Sequence, residues 1–313
     1  MTSRTLASVL LACVLGVGCG NYSNEDLEFM AALPTTTQLA VELPSAVNTA
    51  TEAELAGKTH DAIAMVNQAA KNVLGLIDTV RTYTPTSRTD DSRTWGPFPD
   101  QSNPGWDWEL IVTRDPTGTM FMYTLQASSD GGTTWIPFLT GGFDAAGGAR
   151  QGNGQVTANF AALEAAKFPL DAKTAALADI TISYQNFDTP GSPTEVSMTI
   201  DSTGAVQGTP ASLSVVYEIL ADQSGEMLFT LTGNLVPGPM TEIVQVTSQW
   251  LSTGAGQATL TVASGDGAGL SQTECWDSAF NPTYNAKPWS ALEDVGSATD
   301  CPALPTLTPL TTP

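Results

Sequence analysis

The chain of 313 residues carries 11 Lys and Arg against 32 Asp and Glu, which gives a formal net charge of −21. An acidic surface of this kind repels phosphate backbones and anionic lipid headgroups, so the composition argues against nucleic-acid binding. The acids are scattered and no D-x-[DN]-x-[DN]-G loop is present, so the sequence predicts no calcium site.

The N-terminus has the layout of an export signal. Arg4 precedes an apolar run from Leu6 to Val17. This run is too short for a membrane-spanning helix, which needs about 20 residues. The segment LGVGC, which ends at Cys19, resembles the lipobox of bacterial lipoproteins. In that family the signal is removed before the cysteine, and the cysteine carries fatty acyl chains such as palmitate. The resemblance implies a signal peptide over 1–18 and lipidation of Cys19.

The same residues allow a second interpretation. Gly16 and Gly18 form a small-x-small pattern for ordinary signal cleavage, which would release a soluble secreted protein. In the lipoprotein interpretation, residues 19–48 are polar and interrupted by proline, and we expect them to form a lipid-anchored tether. A short helix is predicted within this tether, from Asn24 to Ala32.

Cysteine usage is consistent with export. Cys13 leaves with the signal and Cys19 would carry lipid, so the mature chain keeps one pair, Cys275 and Cys301. In an exported protein such a pair is expected to form a disulfide, with two free thiols as the alternative. Two cysteines and one distant histidine, His60, cannot complete a four-ligand zinc shell, so no metal site is predicted.

Residues 49–82 are predicted to form one long helix. Thr51 followed by Glu54 fits a capping box, and Tyr83 to Pro85 end the helix. An apolar stripe at helical spacing predicts that the helix packs on a sheet of its own domain. The stripe consists of Ile63, Val66, Ala70, Val73, Leu74, Ile77 and Val80.

The body from 94 to 275 alternates apolar and polar residues in short runs separated by Gly, Asp and Pro. Short connections permit antiparallel neighbours and forbid parallel crossovers, so consecutive runs should form hairpins. The predicted pairs are Trp108–Thr113 with Thr119–Ala127, Ile180–Asn186 with Thr194–Asp201, Leu213–Leu220 with Met227–Leu231, and Ile243–Leu251 with Gln257–Ala263. A short helix is predicted at 160–167.

These elements predict a mainly β (α+β) fold: a large, curved antiparallel β-meander or incomplete barrel of about ten strands, with the long helix packed on it. A two-sheet sandwich is the alternative. The single β-rich domain should cover residues 49–301. The Pro/Thr-rich tail from 302 to 313 is predicted to be disordered.

One short motif resembles the Asp-box, S-x-D-x-G-x-T-W, which is best known from sialidases. It consists of Ser128, Asp130, Gly132, Thr134 and Trp135. The resemblance implies a hairpin turn in which Asp and Ser bond the loop backbone and the tryptophan anchors the turn in the core. Sialidases repeat the box and use an arginine cluster. Here the box occurs once, and Arg88, Arg93, Arg114 and Arg150 show no clustering in the sequence.

No catalytic residue or cofactor is predicted. His60 is the only histidine and is expected at the surface or edge of the long helix, and no G-x-S-x-G elbow accompanies any strand. The glycine-rich stretches have no Walker lysine after them. Carboxylates such as Asp222 and Glu226 are placed in turns, and a two-carboxylate glycosidase-like site stays open only as a third possibility.

The arrangement also resembles a loose group of bacterial lipoproteins of unassigned function. The shared features are Cys19-Gly20, the leading helix, the β body and a late Cys275-Trp276-Asp277 segment. Gly20 in place of the inner-membrane Asp implies the outer membrane. We expect a non-enzymatic envelope protein that displays or scaffolds its β body for a partner protein. The alternative is a carrier of an apolar ligand or lipid in a half-open barrel.

Overall fold

A computed structural model describes residues 22–41, 43, 52–148, 150–170, 177–187, 189, 192, 194–202, 211–235, 238–288, 295–307 and 310–311. Cys13 and Cys19 lie outside these residues. The chain divides into two compact units. The first holds residues 1–39 and 70–175, and the second holds residues 40–69 and 176–313. The predicted domain from 49 to 301 includes residues of both units.

The described helices are α1 (Asn24–Ala31), α2 (Glu54–Val80), α3 (Phe160–Ala165) and a 3-10 turn at Ala298–Asp300. Ser23 caps α1 through a capping box with Asp26, and Asn159 caps α3 through the backbone of Ala162. Every residue of the predicted apolar stripe on α2 is buried, which confirms that this face of the helix is covered by protein.

The described residues of the first unit form six strands, each antiparallel to the next. They are β1 (Ser87–Arg88), β2 (Ser92–Pro99), β3 (Asp107–Arg114), β4 (Met120–Ser128), β5 (Ile136–Gly148) and β6 (Gln151–Asn159). Its core is formed by aromatic and aliphatic side chains such as Trp95, Leu110, Tyr123 and Phe143.

Nine strands are described in the second unit, again antiparallel and in chain order. They are β7 (Leu177–Phe187), β8 (Thr194–Ser202), β9 (Ser212–Ile219), β10 (Gly225–Gly233), β11 (Glu242–Trp250), β12 (Gly256–Ser264), β13 (Ser271–Trp276), β14 (Pro282–Ala286) and β15 (Val295–Gly296). Alternate residues such as Val246 and Trp250 are buried, while Gln245 and Gln249 lie on the opposite, half-exposed face.

The predicted fold class is confirmed: the chain is mainly β, its strands are antiparallel, and their order in the sheet is the order of the chain. The sheet is not closed, and the sandwich alternative is wrong because the described strands form one sheet order from β1 to β15. The expected number of about ten strands is too low, because the described residues form fifteen.

A glycine-rich stretch accounts for part of the missed strand content. Residues around Gly141 and Gly152 belong to the hairpin of β5 and β6. A Cβ atom at Gly141 would lie 2.3 Å from Cζ of Tyr123 on the neighbouring strand. Glycine therefore makes room for a buried aromatic ring, a reason for glycine within a strand that hydrophobic alternation does not reveal.

The segment expected to act as a tether is ordered in its described part. Phe29, Leu33 and Leu39 are all buried. The backbone N–H and side chain of Thr36 bind Oδ2 of Asp78 on α2, the hydroxyl at 2.8 Å. Residues 22–39 are thus part of the first unit, because their apolar side chains and polar backbone both have partners within it.

Candidate functional site

The predicted lipidation residue, Cys19, lies outside the described residues. The structure describes the chain from Tyr22, whose hydroxyl donates to the carbonyl of Arg81 at 3.2 Å. Helix α1 begins two residues later, at Asn24. If Cys19 carries an anchor, that anchor is therefore three residues from a fixed part of the first unit.

A buried ion pair fixes α1 to β2. Asp26 has no exposed surface, and the Arg93 side chain is 2% exposed. Nε of Arg93 donates to Oδ1 of Asp26 at 2.6 Å, and Nε of Arg88 donates to Oδ2 at 3.2 Å. Burial by itself raises the pKa of Asp26, but the Ser23 N–H, Arg93 and Arg88 outweigh it and bring the pKa below its ordinary value. The carboxylate is thus held in its charged form.

Further arginine contacts surround the same helix. Arg93 also binds Glu25 at 2.7 Å, and Arg114 binds Glu28 at 3.1 Å. The guanidinium carbons of Arg93 and Arg114 lie 4.6 Å and 5.0 Å from the ring centroid of Phe29. The structure therefore brings together arginines that are far apart in the sequence. The acidic first turn of α1 could have suggested such partners, but nothing in the sequence indicated which cations would reach it.

The Asp-box-like residues form the connection between β4 and β5. Oδ1 of Asp130 accepts the N–H groups of Thr133 and Thr134 at 3.0 Å and 2.9 Å, and the Ser128 hydroxyl at 2.8 Å. The Thr134 N–H and the Ser128 hydroxyl are the main causes that lower the pKa of Asp130 to about 2. Gly132 has φ +84, and Trp135 packs beneath it. Trp135 is half-exposed, so it packs against the turn and not in the core as the resemblance implied.

The Cys275–Cys301 pair forms a disulfide that joins β13 to the residue before the C-terminal tail. The Pro/Thr-rich tail, which the sequence predicts to be disordered, contacts the sheet at Leu304 and Leu310. Leu304 lines a shallow polar depression of about 70 Å³ with side chains of β11 and β12, namely Thr247, Gln249, Gln257, Ala258 and Thr259. The disulfide fixes the start of the tail, which explains why a segment of disorder-prone composition can stay on this face.

Three glutamates occupy facing positions on β8, β9 and β10. Glu195 of β8 is the register partner of Glu218 of β9, which is the partner of Glu226 of β10. Side chains in such positions are roughly 5 Å apart at Cβ. The sequence predicts a turn at Glu226, but the structure places this residue in β10. Asp222 does lie in the turn, where its carboxylate accepts hydrogen bonds from the N–H and the hydroxyl of Ser224.

The electrostatics of this row disfavour ionisation. Burial raises the pKa of Glu218, and facing Glu226 and Glu195 raise it further. Burial also raises the pKa of Glu226, although the side-chain amide of Gln249 and the backbone N–H of Leu310 oppose the rise. A glycosidase-like pair needs environments that push the two pKa values apart. Here both pKa values move in the same direction, so the row does not favour that chemistry.

The row gives a testable pH dependence. Because the folded pKa of Glu226 is above its unfolded value, the free energy of unfolding falls as pH rises from the unfolded pKa of about 4.3 through the folded pKa, and the cost is absent below about pH 4. We expect Glu226→Gln to raise the melting temperature at pH 7.5 and to have no effect near pH 4, measured by differential scanning fluorimetry.

A matched control is available on β3. Glu109 accepts a hydrogen bond from its β4 register partner Gln126 at 2.8 Å, as Glu226 does from its β11 register partner Gln249 at 2.9 Å. Glu226 also faces Glu218 on β9, whereas the register of β2 with β3 pairs Glu109 with no acidic residue. Glu109→Gln should leave the melting temperature nearly unchanged at both pH values. Equal effects of the two variants would contradict the electrostatic interpretation.

The N-terminal end of α2 is capped from the sheet. The buried carboxylate of Glu274 on β13 accepts the N–H of Leu55, and Thr59 donates to Ser248 of β11 at 2.9 Å. Burial raises the pKa of Glu274, and the backbone N–H groups of Leu55 and Glu54 at the start of α2 partly oppose the rise. His60 is half-exposed, with Nδ1 2.6 Å from Oε1 of Glu52. These contacts explain the docking of the helix end, and they place His60 in an ion-pair geometry at the helix surface.

Comparisons of the chain with protein-family models, with curated proteins and with solved structures gave no match. Among the described residues, no helix has the length and apolar character needed to cross a membrane. No group of three or more His, Cys, Asp or Glu in the same part of the chain is arranged to hold a metal ion. The geometry around α1, the disulfide and the carboxylate row therefore carries the functional argument.

Proposed function

We propose that the mature protein is an exported cell-envelope lipoprotein, anchored through acyl chains on Cys19, that displays its β body as a scaffold or binding surface for a partner protein. The observation that carries the proposal is the Cys275–Cys301 disulfide in a chain whose N-terminus resembles a lipoprotein signal. Stable disulfides belong to oxidising compartments outside the cytosol.

The described surface also supports a display role. The outer face of the second unit presents hydroxyl and amide side chains from neighbouring strands, and the depression on it is polar. A pocket for a lipid-sized ligand is typically several hundred Å³ and mostly apolar. The depression, at about 70 Å³ and with a polar lining, is not itself a site for a lipid-sized apolar ligand. The implied location is the outer membrane, from the glycine that follows Cys19.

The proposal predicts the behaviour of the anchor residue. The full chain, expressed with its own signal in a bacterial host fed labelled palmitate, should incorporate label and sediment with membranes. Cys19→Ala should abolish incorporation and move most of the protein to another fraction. Cys13→Ala is the matched control, because Cys13 lies within the predicted signal and should not affect acylation. Unchanged membrane association of Cys19→Ala would refute the proposal.

A further inference from the structure

The fixed position of Tyr22 limits how far the body can lie from a membrane that holds Cys19. Three residue steps separate the two positions, and an extended chain covers about 10 Å over that length. The Tyr22 hydroxyl bond to Arg81 and the Ser23 cap hold the chain at its exit from the first unit. This inference rests on the proposed function, because it requires the anchor at Cys19.

The charge around this exit differs from that of the rest of the chain. Without Arg4 the mature protein has 10 cationic and 32 acidic residues, a net charge of −22. Four of the five arginines of the mature chain contact α1 or Tyr22. Arg88, Arg93 and Arg114 pair with α1, and the backbone carbonyl of Arg81 accepts the hydroxyl of Tyr22. Burial lowers the pKa of Arg81 most, and the positive charge of Arg150 lowers it further.

The same region is nearly neutral. The acids paired with these arginines are four: Glu25, Asp26, Glu28 and Asp78. Asp90 and Asp91, whose carbonyls Arg114 also contacts, bring the balance to within one charge of zero. An acidic protein is repelled by anionic headgroups over most of its surface, so a neutral region rich in guanidinium groups is where it can approach a bilayer at the lowest electrostatic cost.

Exposed apolar groups lie next to the exit. Leu27, on α1, is 52% exposed, although its neighbours Asp26 and Phe29 are fully buried. Tyr83 is 38% exposed and lies two residues after the carbonyl that binds Tyr22. Leucine and tyrosine at the membrane interface gain from burial of their apolar parts among headgroups and upper acyl chains.

We propose that the surface formed by Tyr22, Leu27, Tyr83, Arg81 and Arg88, the membrane-facing surface, lies against the bilayer that holds the anchor, with Leu27 in the interfacial zone. The occupant is a lipid surface because only Gly20 and Asn21 separate Tyr22 from the acylated Cys19. A long flexible tether would have left this surface free in solution. The ordered residues 22–39 do not permit such a tether on this side of the first unit.

A photo-crosslinking experiment on the acylated, full-length protein in its host membrane tests this surface. A benzophenone amino acid is placed at Leu27 or, as the matched control, at Met122. Both side chains are similarly exposed, at 52% and 54%. Met122 follows Phe121, whose ring contacts Phe29 of α1, so strand alternation places Met122 on the sheet face opposite α1. We expect several-fold more phospholipid adduct at position 27 than at position 122.

Mass spectrometry of the same sample reads both the adducts and the acylation of Cys19. Equal adduct yields at the two positions in acylated protein would contradict the proposed membrane-facing surface, and so would adducts to protein instead of lipid at position 27. Either result would leave the proposed anchor at Cys19 valid. A protein without acyl chains would instead refute the proposed function. A third probe at Tyr83 controls for local misfolding caused by the substitution at position 27. Its yield of phospholipid adduct should resemble that of position 27 and exceed that of position 122.

Discussion

Replacing Asp26 with alanine is expected to lower the free energy of unfolding by about 3–5 kcal/mol, which is the typical cost of removing one partner from a buried ion pair. The Arg93 guanidinium, 2% exposed, would remain in the interior without its main carboxylate. Chemical denaturation of the purified mature protein, followed by tryptophan fluorescence, would measure the loss. Because the pKa of Asp26 is lowered in the fold, the stability that it contributes is present above its unfolded pKa of about 4 and is lost as pH falls through the folded pKa.

The matched control removes the other carboxylate that binds Arg93. Glu25 also lies on α1, but its side chain is 62% exposed. Exposed ion pairs contribute at most about 1 kcal/mol, so Glu25→Ala should have a small effect. Similar losses for the two variants would mean that the buried pair does not hold α1. The double variant Asp26→Leu with Arg93→Met should be less destabilised than Asp26→Ala, because no uncompensated charge remains buried.

Removing the disulfide should cost roughly 3–4 kcal/mol, since the bridge closes a loop with a sequence separation of 26 and so limits the freedom of the unfolded chain. We expect reducing agent to lower the melting temperature of the wild-type protein. The variant with both Cys275→Ala and Cys301→Ala should melt at the lower temperature whether or not reductant is present. If reductant leaves the wild-type melting temperature unchanged, the two thiols are free in the native protein.

Loss of the bridge should also release the tail. Cys301 is joined to the buried Cys275 at the start of the segment that carries Leu304 onto β11 and β12. Limited proteolysis should therefore cut the double-alanine variant near Leu304 faster than the wild-type protein. Identical cleavage rates would show that the tail stays on the sheet without the covalent link.

Local sequence patterns were informative where a single segment decides its own structure. The stripe from Ile63 to Val80 repeats at helical spacing, so one helix with one buried face was predictable, and all seven residues are buried. The hairpin built on Ile243–Leu251 and Gln257–Ala263 was predictable because a short turn forces antiparallel pairing. The cysteine pair was predictable from arithmetic, because only two cysteines remain in the predicted mature chain.

Long-range placement was not predictable by the same means. Asp26 and Arg93 are 67 residues apart, and nothing local to either indicates that they share a buried site. The facing of Glu218 and Glu226 depends on the register of β9 and β10, and a shift of one residue would have put the two side chains on opposite faces. A Pro/Thr-rich composition indicated disorder in the tail, but composition does not account for a covalent tie at Cys301.

By itself, the sequence determined an antiparallel β protein with one long amphipathic helix and one disulfide, because periodicity, turn residues and cysteine number act over short or countable distances. Only the tertiary structure decided that the expected tether is ordered from Tyr22, that Arg88, Arg93 and Arg114 gather around α1, and that Leu310 of the tail contacts Glu226. These features depend on which distant residues the packing of the chain brings into contact, and the pairwise energies of ions and hydrogen bonds take effect only once those residues are adjacent.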